Sequence, residues 1–171
     1  WNVFGTEPDI EARNIAAKKG VLLHKDVSHF TDKKFEIITL WHVLEHIHDL
    51  QLTLQKLKEL LKPEGVLIIA VPNYTSLDAY HYGPYWAAYD VPRHLYHFSP
   101  FSMEQLMKNN GLRVIAKKPL WFDSFYVSLL STRYQFGKIN YVDGFWQGLR
   151  SARTTMSEVD RSSSLIYVVT Q

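Results

Sequence analysis

The sequence contains no cysteine, no long apolar run and no strong imbalance of charge. Without cysteine, disulfides, thiolate nucleophiles and thiolate metal sites are excluded, which fits a reducing compartment. No apolar stretch approaches the roughly 20 residues of a membrane-spanning helix, and the first residues do not resemble a signal peptide. The net charge of +2 is too small to indicate nucleic acid or an anionic membrane as a partner. These absences favour a cytoplasmic protein.

Apolar, β-branched runs alternate with helical patterns along the first half of the chain. At 171 residues and 46% hydrophobic, the chain suits one domain, 1–171, with a single core. The run at 35–40 is expected to be a strand covered on both faces. Strands alternating with helices imply right-handed crossovers and a parallel sheet. We predict strands at 3–4, 21–23, 35–40 and 66–71, a helix over 8–20, and a second helical pattern from Leu44 that closes at Gly65.

The second half of the chain changes character. Residues 74–98 are rich in tyrosine and tryptophan and show no clear period. A helix is predicted to begin at Ser102, and strands are predicted at 112–116 and 164–170. A helical insertion at about 121–160 separates those two strands. Strand, insertion and strand at the C-terminus predict an antiparallel edge hairpin added to the parallel sheet.

Five short motifs follow one another in a fixed order. They are Gly5-Thr-Glu-Pro8, Leu40-Trp-His-Val-Leu-Glu-His46, Leu61-Lys-Pro-Glu-Gly65, Val71-Pro-Asn73, and Pro92-Arg-His94 followed by Phe98-Ser99. In this order and spacing the chain resembles the ubiquinone-biosynthesis-like branch of class I S-adenosylmethionine-dependent methyltransferases (types 11, 12 and 23). The resemblance covers nearly the whole chain. It implies an α/β, Rossmann-like sheet, mostly parallel, with S-adenosylmethionine as cofactor and a small-molecule acceptor, favouring O-methylation.

One part of the family pattern is absent from these residues. The family begins with a strand and a glycine-rich turn whose amides cradle the cofactor, and the only glycine near the start is Gly5, which belongs to the next unit. The resemblance therefore implies a first strand ahead of Trp1, missing here together with part of the cofactor pocket. The alternative is that the ancestral site has been lost.

Five residues are candidates for binding the cofactor. Glu7, just past a predicted strand, stands where an acid can accept both ribose hydroxyls, or it favours a helix N-terminus. The resemblance implies that Asp26, with Val27 alongside, meets the adenine amino group; a turn aspartate is the alternative. Leu40 and Trp41 lie at the carboxyl end of a strand, where open α/β sheets place their ligands. Trp41 fits a core position equally well.

His42, Glu45, His46 and His94 form the sharpest candidate constellation. Residues three and four apart share a helical face, and paired histidines at that spacing can seat a transition metal. The resemblance implies that some relatives bind a divalent metal with the pattern Glu-x-x-Glu-His. In this chain His42 stands in place of the first glutamate, and this nitrogen ligand favours Zn²⁺, Mn²⁺ or Fe²⁺ over Mg²⁺. In a metal-free site, His46 or His94 acts as a base and Glu45 orients the ring. A purely structural role is the third possibility.

The aromatic stretch 74–98 has three interpretations. It is a lid over an aromatic or lipid-like acceptor, a satellite core under a long loop, or the contact surface of a homodimer. Base stacking by a metal-assisted RNA 2′-O-methyltransferase would use such residues, but Arg93 stands alone among them, which argues against nucleic acid. Asp123 fits a hydrogen-bonding group or an exposed charge.

Two rival functions stay open. A nicotinamide-dependent oxidoreductase is disfavoured because no Gly-x-Gly-x-x-Gly is present. A non-catalytic module that keeps the fold and binds a partner through its aromatic loop would not bind an adenosyl ligand.

Overall fold

Four strands form one mixed sheet in the order β1-β2-β4-β3. The computed structural model describes residues 1–171. β1 and β2 run parallel, and β4 is antiparallel to both of its neighbours. The strands are β1 (Phe35–Trp41), β2 (Leu61–Pro72), β3 (Arg113–Pro119) and β4 (Ser164–Thr170). The predicted C-terminal hairpin is confirmed, with β4 on its inner side and β3 at the edge.

Six α-helices and five short 3₁₀ turns connect and cover these strands. The helices are α1 (Ile10–Lys18), α2 (Leu50–Leu60), α3 (Leu77–Tyr82), α4 (Pro100–Asn109), α5 (Asp123–Phe136) and α6 (Tyr141–Ser157). The 3₁₀ turns are Val27–His29, Leu44–His46, Gly83–Tyr85, Ala87–Tyr89 and Val159–Arg161. None of the helices has both the length and the apolar character needed to cross a bilayer.

The main core lies between one face of the sheet and helices α2 and α4. Leu54 and Leu57 repeat at helical spacing on α2, and Met103 and Met107 do so on α4; all four are buried. They join alternate residues of β2 and β4 in one cluster of 16 buried side chains. Each fully buried aliphatic side chain contributes about 1.5–3 kcal/mol, so this face anchors the carboxyl ends of the strands firmly.

The N-terminal strand predictions were wrong. The segments at 3–4 and 21–23 form no ladder; a single parallel bridge joins Thr6 to His24 through two backbone hydrogen bonds of 2.9 Å. Neither segment pairs with β1. The four strands therefore form one parallel pair and two antiparallel pairs.

β1 lies at the edge of the sheet and is not covered on both faces as expected. Ile37 and Trp41 are exposed along it, and its outer edge has no partner strand.

Two boundary predictions also needed correction. Helix α2 ends at Leu60, and Gly65 lies within β2, where an added Cβ would come within 2.9 Å of the Phe35 carbonyl oxygen. Gly65 thus permits close strand approach and does not terminate a helix. Helix α4 begins at Pro100 after the cap Ser99, and Ser102 completes a capping box with it.

The aromatic stretch folds as α3, two 3₁₀ turns and a loop over residues 90–98. Tyr82 and Trp86 are buried in a second cluster that includes Val127 of α5. The satellite-core interpretation is confirmed for these two side chains. Tyr80, by contrast, is exposed. The lid and homodimer interpretations of the stretch stay predictions.

Candidate active site

The site begins where β1 ends. The His42 amide donates to the Ala70 carbonyl at 3.0 Å, extending the β1–β2 pairing by one residue. His42 then adopts φ 52°, a left-handed conformation that costs a residue with a Cβ about 1 kcal/mol or more. Backbone strain of this kind concentrates at functional sites. The following 3₁₀ turn buries Leu44 in the core and leaves Glu45 only 1% exposed.

The loop at 90–98 is tied to this turn by backbone hydrogen bonds. The amides of Leu95 and Tyr96 donate to the Glu45 carbonyl at 2.8 and 3.3 Å. These bonds place the ring of His94 4.7 Å from the ring of His46, centroid to centroid. The two histidines, 48 positions apart in sequence, are therefore brought together by main-chain pairing.

Both histidines leave the same ring nitrogen, Nε2, able to accept a proton or bind a ligand. Backbone carbonyls, which only accept, lie 3.0 Å from His46 Nδ1 (Arg93) and 2.9 Å from His94 Nδ1 (Ala88). Each Nδ1 is thus the protonated nitrogen, and in the neutral ring Nε2 carries a lone pair. Burial lowers the pKa of His94, which favours this neutral form.

Glu45 completes the cluster. One carboxylate oxygen, Oε1, lies 3.2 Å from His42 Nδ1, and this hydrogen bond raises the pKa of His42. The other oxygen, Oε2, is buried and has no hydrogen-bond partner. One ligand atom each from Glu45, His46 and His94 lies within 4.8 Å of the other two. His42 lies outside this group of three, and its hydrogen bond to Oε1 orients the Glu45 carboxylate.

A cavity of about 190 Å³ opens beside the cluster. Its polar lining comes from three segments, the turn after β1, the loop at 90–98 and α5: His42, Asp90, Arg93, His94, Asp123, Tyr126 and Tyr134. Asp123, at the start of α5, accepts a hydrogen bond from the Ser164 hydroxyl. Burial raises the pKa of Asp123, and the nearby His42 opposes that effect. His46 does not line the cavity, so His94 is the histidine of the cluster that faces it.

The candidate cofactor residues are spread along the β1 side of the molecule. Glu7 Oε1 accepts from the Asp9 amide at 2.9 Å, ahead of α1. Asp26 is exposed, and hydrogen bonds from Ser28 lower its pKa. Val27 packs against the main core. Leu40 is buried in that core, whereas Trp41 is half exposed. None of these five contacts the histidine cluster through a side-chain hydrogen bond or ion pair; their binding roles stay predictions.

Sequence reasoning missed several residues of the cavity. Asp90, Tyr126 and Tyr134 carried no motif, and Asp123 was left between two interpretations. Asp90 follows a 3₁₀ turn with φ 40°, pairs with Arg93 at 2.6 Å and lies 3.8 Å from His94 Nε2. A signal was present in the Asp-x-x-Arg-His spacing, because a tight turn over 90–94, closed by the His94 amide donating to the Asp90 carbonyl at 3.0 Å, brings the acid to both basic residues.

Residues 1–117 match the family described as Methyltransferase domain. The ubiquinone biosynthesis O-methyltransferase of Rhodopseudomonas palustris (strain BisB5) is 28% identical over 140 residues, 71% of this chain and 53% of the relative. The Haemophilus ducreyi enzyme of the same name is 34% identical over 85 residues, 44% of this chain and 36% of the relative. The chain thus spans about half or less of the curated relatives it matches.

The fold comparison agrees. The structure of a SAM-dependent methyltransferase, possible histamine N-methyltransferase, from Thermotoga maritima superimposes with a TM-score of 0.61 at 17% identity. The superposition covers 98% of this chain and 72% of that one. At this identity the likeness concerns the fold alone. The chain belongs to the methyltransferase-domain family, with the Rossmann-like fold of the class I S-adenosylmethionine-dependent methyltransferases.

Proposed function

We propose that this chain carries the acceptor side of an S-adenosylmethionine-dependent methyltransferase, and that the acceptor atom is the oxygen of a small molecule. The observation that carries the proposal is the convergence of Glu45, His46 and His94 beside a cavity at the carboxyl end of β1. Open α/β sheets bind their ligands at that end. The family match and the O-methyltransferase relatives support the reaction class.

His94 is the residue best placed to remove the acceptor's proton. It lines the cavity, its Nδ1 is held by the Ala88 carbonyl, and burial lowers its pKa so that Nε2 is free to accept. In the reaction the acceptor oxygen bonds to the methyl carbon as the carbon–sulfur bond breaks, leaving S-adenosylhomocysteine. The hydroxyl proton goes to His94 Nε2, and Asp90, 3.8 Å away, stabilises the resulting cation.

A divalent metal fits the same three side chains. Glu45 Oε2 is a buried oxygen without a partner, and both histidines donate Nδ1–H to backbone carbonyls, as metal-bound histidines usually do. Glu45, His46 and His94 would hold the ion, with His42 orienting Glu45. When bound, such an ion lowers the pKa of a hydroxyl placed on it. The nitrogen-rich donor set favours Zn²⁺, Mn²⁺ or Fe²⁺ over Mg²⁺.

The cavity suits an acceptor whose reacting part is small. A volume of about 190 Å³ is near that of an engineered cavity of about 150 Å³ that holds one benzene ring. Its walls combine tyrosine rings with the aliphatic side chains of Val127 and Leu130. An aromatic or lipid-like acceptor fits this lining. We keep the non-catalytic module as the second candidate, because the exposed aromatic residues of 74–98 also suit a partner surface.

The first test is calorimetric titration of S-adenosylhomocysteine into the longest natural form of the protein. We expect saturable binding that weakens at least about tenfold in Glu7→Gln, since a ribose contact to a charged acceptor contributes about 1.5–3 kcal/mol. Glu11→Gln is the matched control, because Glu11 is an acid in the first turn of the same α1. Absence of binding would refute the methyltransferase proposal and favour the partner-binding module.

The metal is tested separately from the cofactor. We expect Zn²⁺ to raise the Tm of the protein, and this rise to disappear in Glu45→Gln and in His94→Gln. His97→Gln serves as control, because His97 lies on the same loop but outside the group of three. A Zn²⁺-dependent rise in Tm that persists in both variants would refute the metal site and leave the cluster as a proton-transfer site.

A further inference from the structure

Helix α6 of the α5–α6 hairpin is amphipathic in the opposite sense to a normal surface helix. Its buried positions are small or polar and its large apolar side chains face solvent, while Phe125 and Leu129 of α5 pack over its glycines. On α6 the buried positions are Gly144, Gln147, Gly148, Ser151 and Thr155, and the exposed ones are Tyr141, Val142, Phe145, Trp146, Leu149 and Met156. At 100° per residue the exposed set forms one continuous face.

The two helices share this outer face. An added Cβ at Gly144 or Gly148 would come within 3.0 Å of α5 backbone atoms, so the helices touch closely through these glycines. The ring centroids of Phe125 on α5 and Phe145 on α6 are 5.8 Å apart, and Phe145 and Trp146 are 6.0 Å apart. The apolar residues therefore form a contiguous patch, of the kind that marks a protein or membrane contact.

The hairpin carries more cations than acids. Residues 123–157 contain four cations, Arg133, Lys138, Arg150 and Arg153, against two acids, Asp123 and Asp143. All four cations are exposed, and none forms an ion pair. Arg150 and Arg153 lie on the same side of α6 as Trp146. This excess of two positive charges equals the net charge of the whole chain.

We propose that the outer face of the α5–α6 hairpin binds the surface of an anionic lipid bilayer. Aromatic and aliphatic side chains flanked by unpaired arginines are the composition of helices that lie in the membrane interface. Tryptophan and tyrosine place an apolar ring below the headgroups and a polar tip among them. The free cations complement the negative surface potential. A protein partner would need a matching acidic and apolar surface, whereas an anionic bilayer supplies both everywhere.

The test is co-sedimentation with phosphatidylcholine vesicles, with and without phosphatidylglycerol. We expect binding to the anionic vesicles that declines with added salt, and much weaker binding to the neutral ones. Arg150→Ala with Arg153→Ala should weaken binding about 25-fold, from about fivefold for each cation near the surface. Lys18→Ala with Lys19→Ala is the control pair, because these cations are exposed at the end of α1.

The apolar contribution has its own variant and control. Trp146→Ser should reduce vesicle binding with an unchanged circular dichroism spectrum, whereas Trp1→Ser, at a fully exposed tryptophan outside the hairpin, should not. Equal binding to both kinds of vesicle, or no loss in the arginine pair, would overturn the proposal. So would a vesicle-free dimer that dissociates in Trp146→Ser, because it would assign the face to a second copy of the chain.

Discussion

Asp78 is a fully buried carboxylate that joins four parts of the structure. It lies on α3, and its Oδ2 accepts hydrogen bonds from Trp86 Nε1 at 2.9 Å and from the Ser163 hydroxyl at 2.7 Å. Its Oδ1 accepts from the Ser151 hydroxyl on α6 at 3.2 Å. The bonds thus connect α3, the loop that supports His94, the α5–α6 hairpin and the start of β4. We predict that this network is essential to the stability of the acceptor side.

The expected magnitude follows from the donors left behind. In Asp78→Ala three buried donors lose a charged acceptor, and each unsatisfied group costs about 1–3 kcal/mol. The serine hydroxyls can rotate towards other acceptors, but the Trp86 indole cannot, so we expect a total of about 3–5 kcal/mol. Asp78→Asn keeps one acceptor oxygen and should cost about 1–2 kcal/mol. The total expected for Asp78→Ala is a large part of the roughly 5–15 kcal/mol by which domains are stable.

Urea unfolding followed by circular dichroism measures these differences. We expect the midpoint to fall in the order wild type, Asp78→Asn, Asp78→Ala at unchanged m, with Ser151→Ala costing about 1 kcal/mol. Asp32→Ala, at an exposed position, is the control. If Asp78→Ala were within 1 kcal/mol of wild type, or Asp78→Asn more stable than wild type, burial of the charge would outweigh its hydrogen bonds and the reasoning would be refuted.

Three further changes have expected outcomes. Burial raises the pKa of Asp123, so its contribution to the free energy of unfolding falls as pH rises from the pKa of the unfolded state through the higher pKa of the folded state. Asp123→Asn should remove that fall, which amounts to about 1.4 kcal/mol per unit of difference between the two pKa values; urea unfolding from pH 4 upwards measures it. Gly148→Ala places a Cβ 2.9 Å from the Phe125 Cα and should cost about 1–3 kcal/mol in thermal unfolding; an unchanged Tm would contradict the close packing. Ser99→Ala removes the oxygen that accepts from the Ser102 amide at 3.1 Å and should cost about 1 kcal/mol by the same assay, whereas a loss below a few tenths would contradict the cap.

The sequence predicted the strands of the main sheet well and the N-terminal ones poorly. The run at 164–170 is observed with the bounds expected, because alternate residues such as Leu165 and Tyr167 pack into the core. The segments at 3–4 and 21–23 have equally apolar residues, but a strand forms only where a neighbour accepts its hydrogen bonds. Only Thr6 and His24 pair there, and that information is not local.

The sequence indicated which residues belong to the candidate site but not the geometry that brings them together. His42, Glu45 and His46 do not share one helical face, contrary to what their spacing predicted. His42 precedes the turn in a left-handed conformation, and residues 44–46 form a 3₁₀ turn. Convergence arises because the Glu45 carbonyl accepts the amides of the loop that carries His94. The resemblance supplied His94; periodicity could not, since 48 residues separate it from His46.

The interior of the α5–α6 hairpin implies where its stability comes from. Burial of apolar area stabilises most surface helices, but here the contact of α6 with α5 is made by glycines, against which Phe125 and Leu129 pack. Hydroxyls bond to backbone around it: Ser124 Oγ donates to the Gly148 carbonyl at 3.3 Å, and Ser131 Oγ accepts from the Ala87 amide at 2.9 Å. Such bonds contribute only about 0.5–1.5 kcal/mol each. In water the hairpin is therefore expected to open more readily than the main core, and an apolar surface against its outer face would stabilise it. Because α5 also supplies Tyr126 and Tyr134 to the cavity, we expect contact on the outer face to increase order in the cavity through this helix.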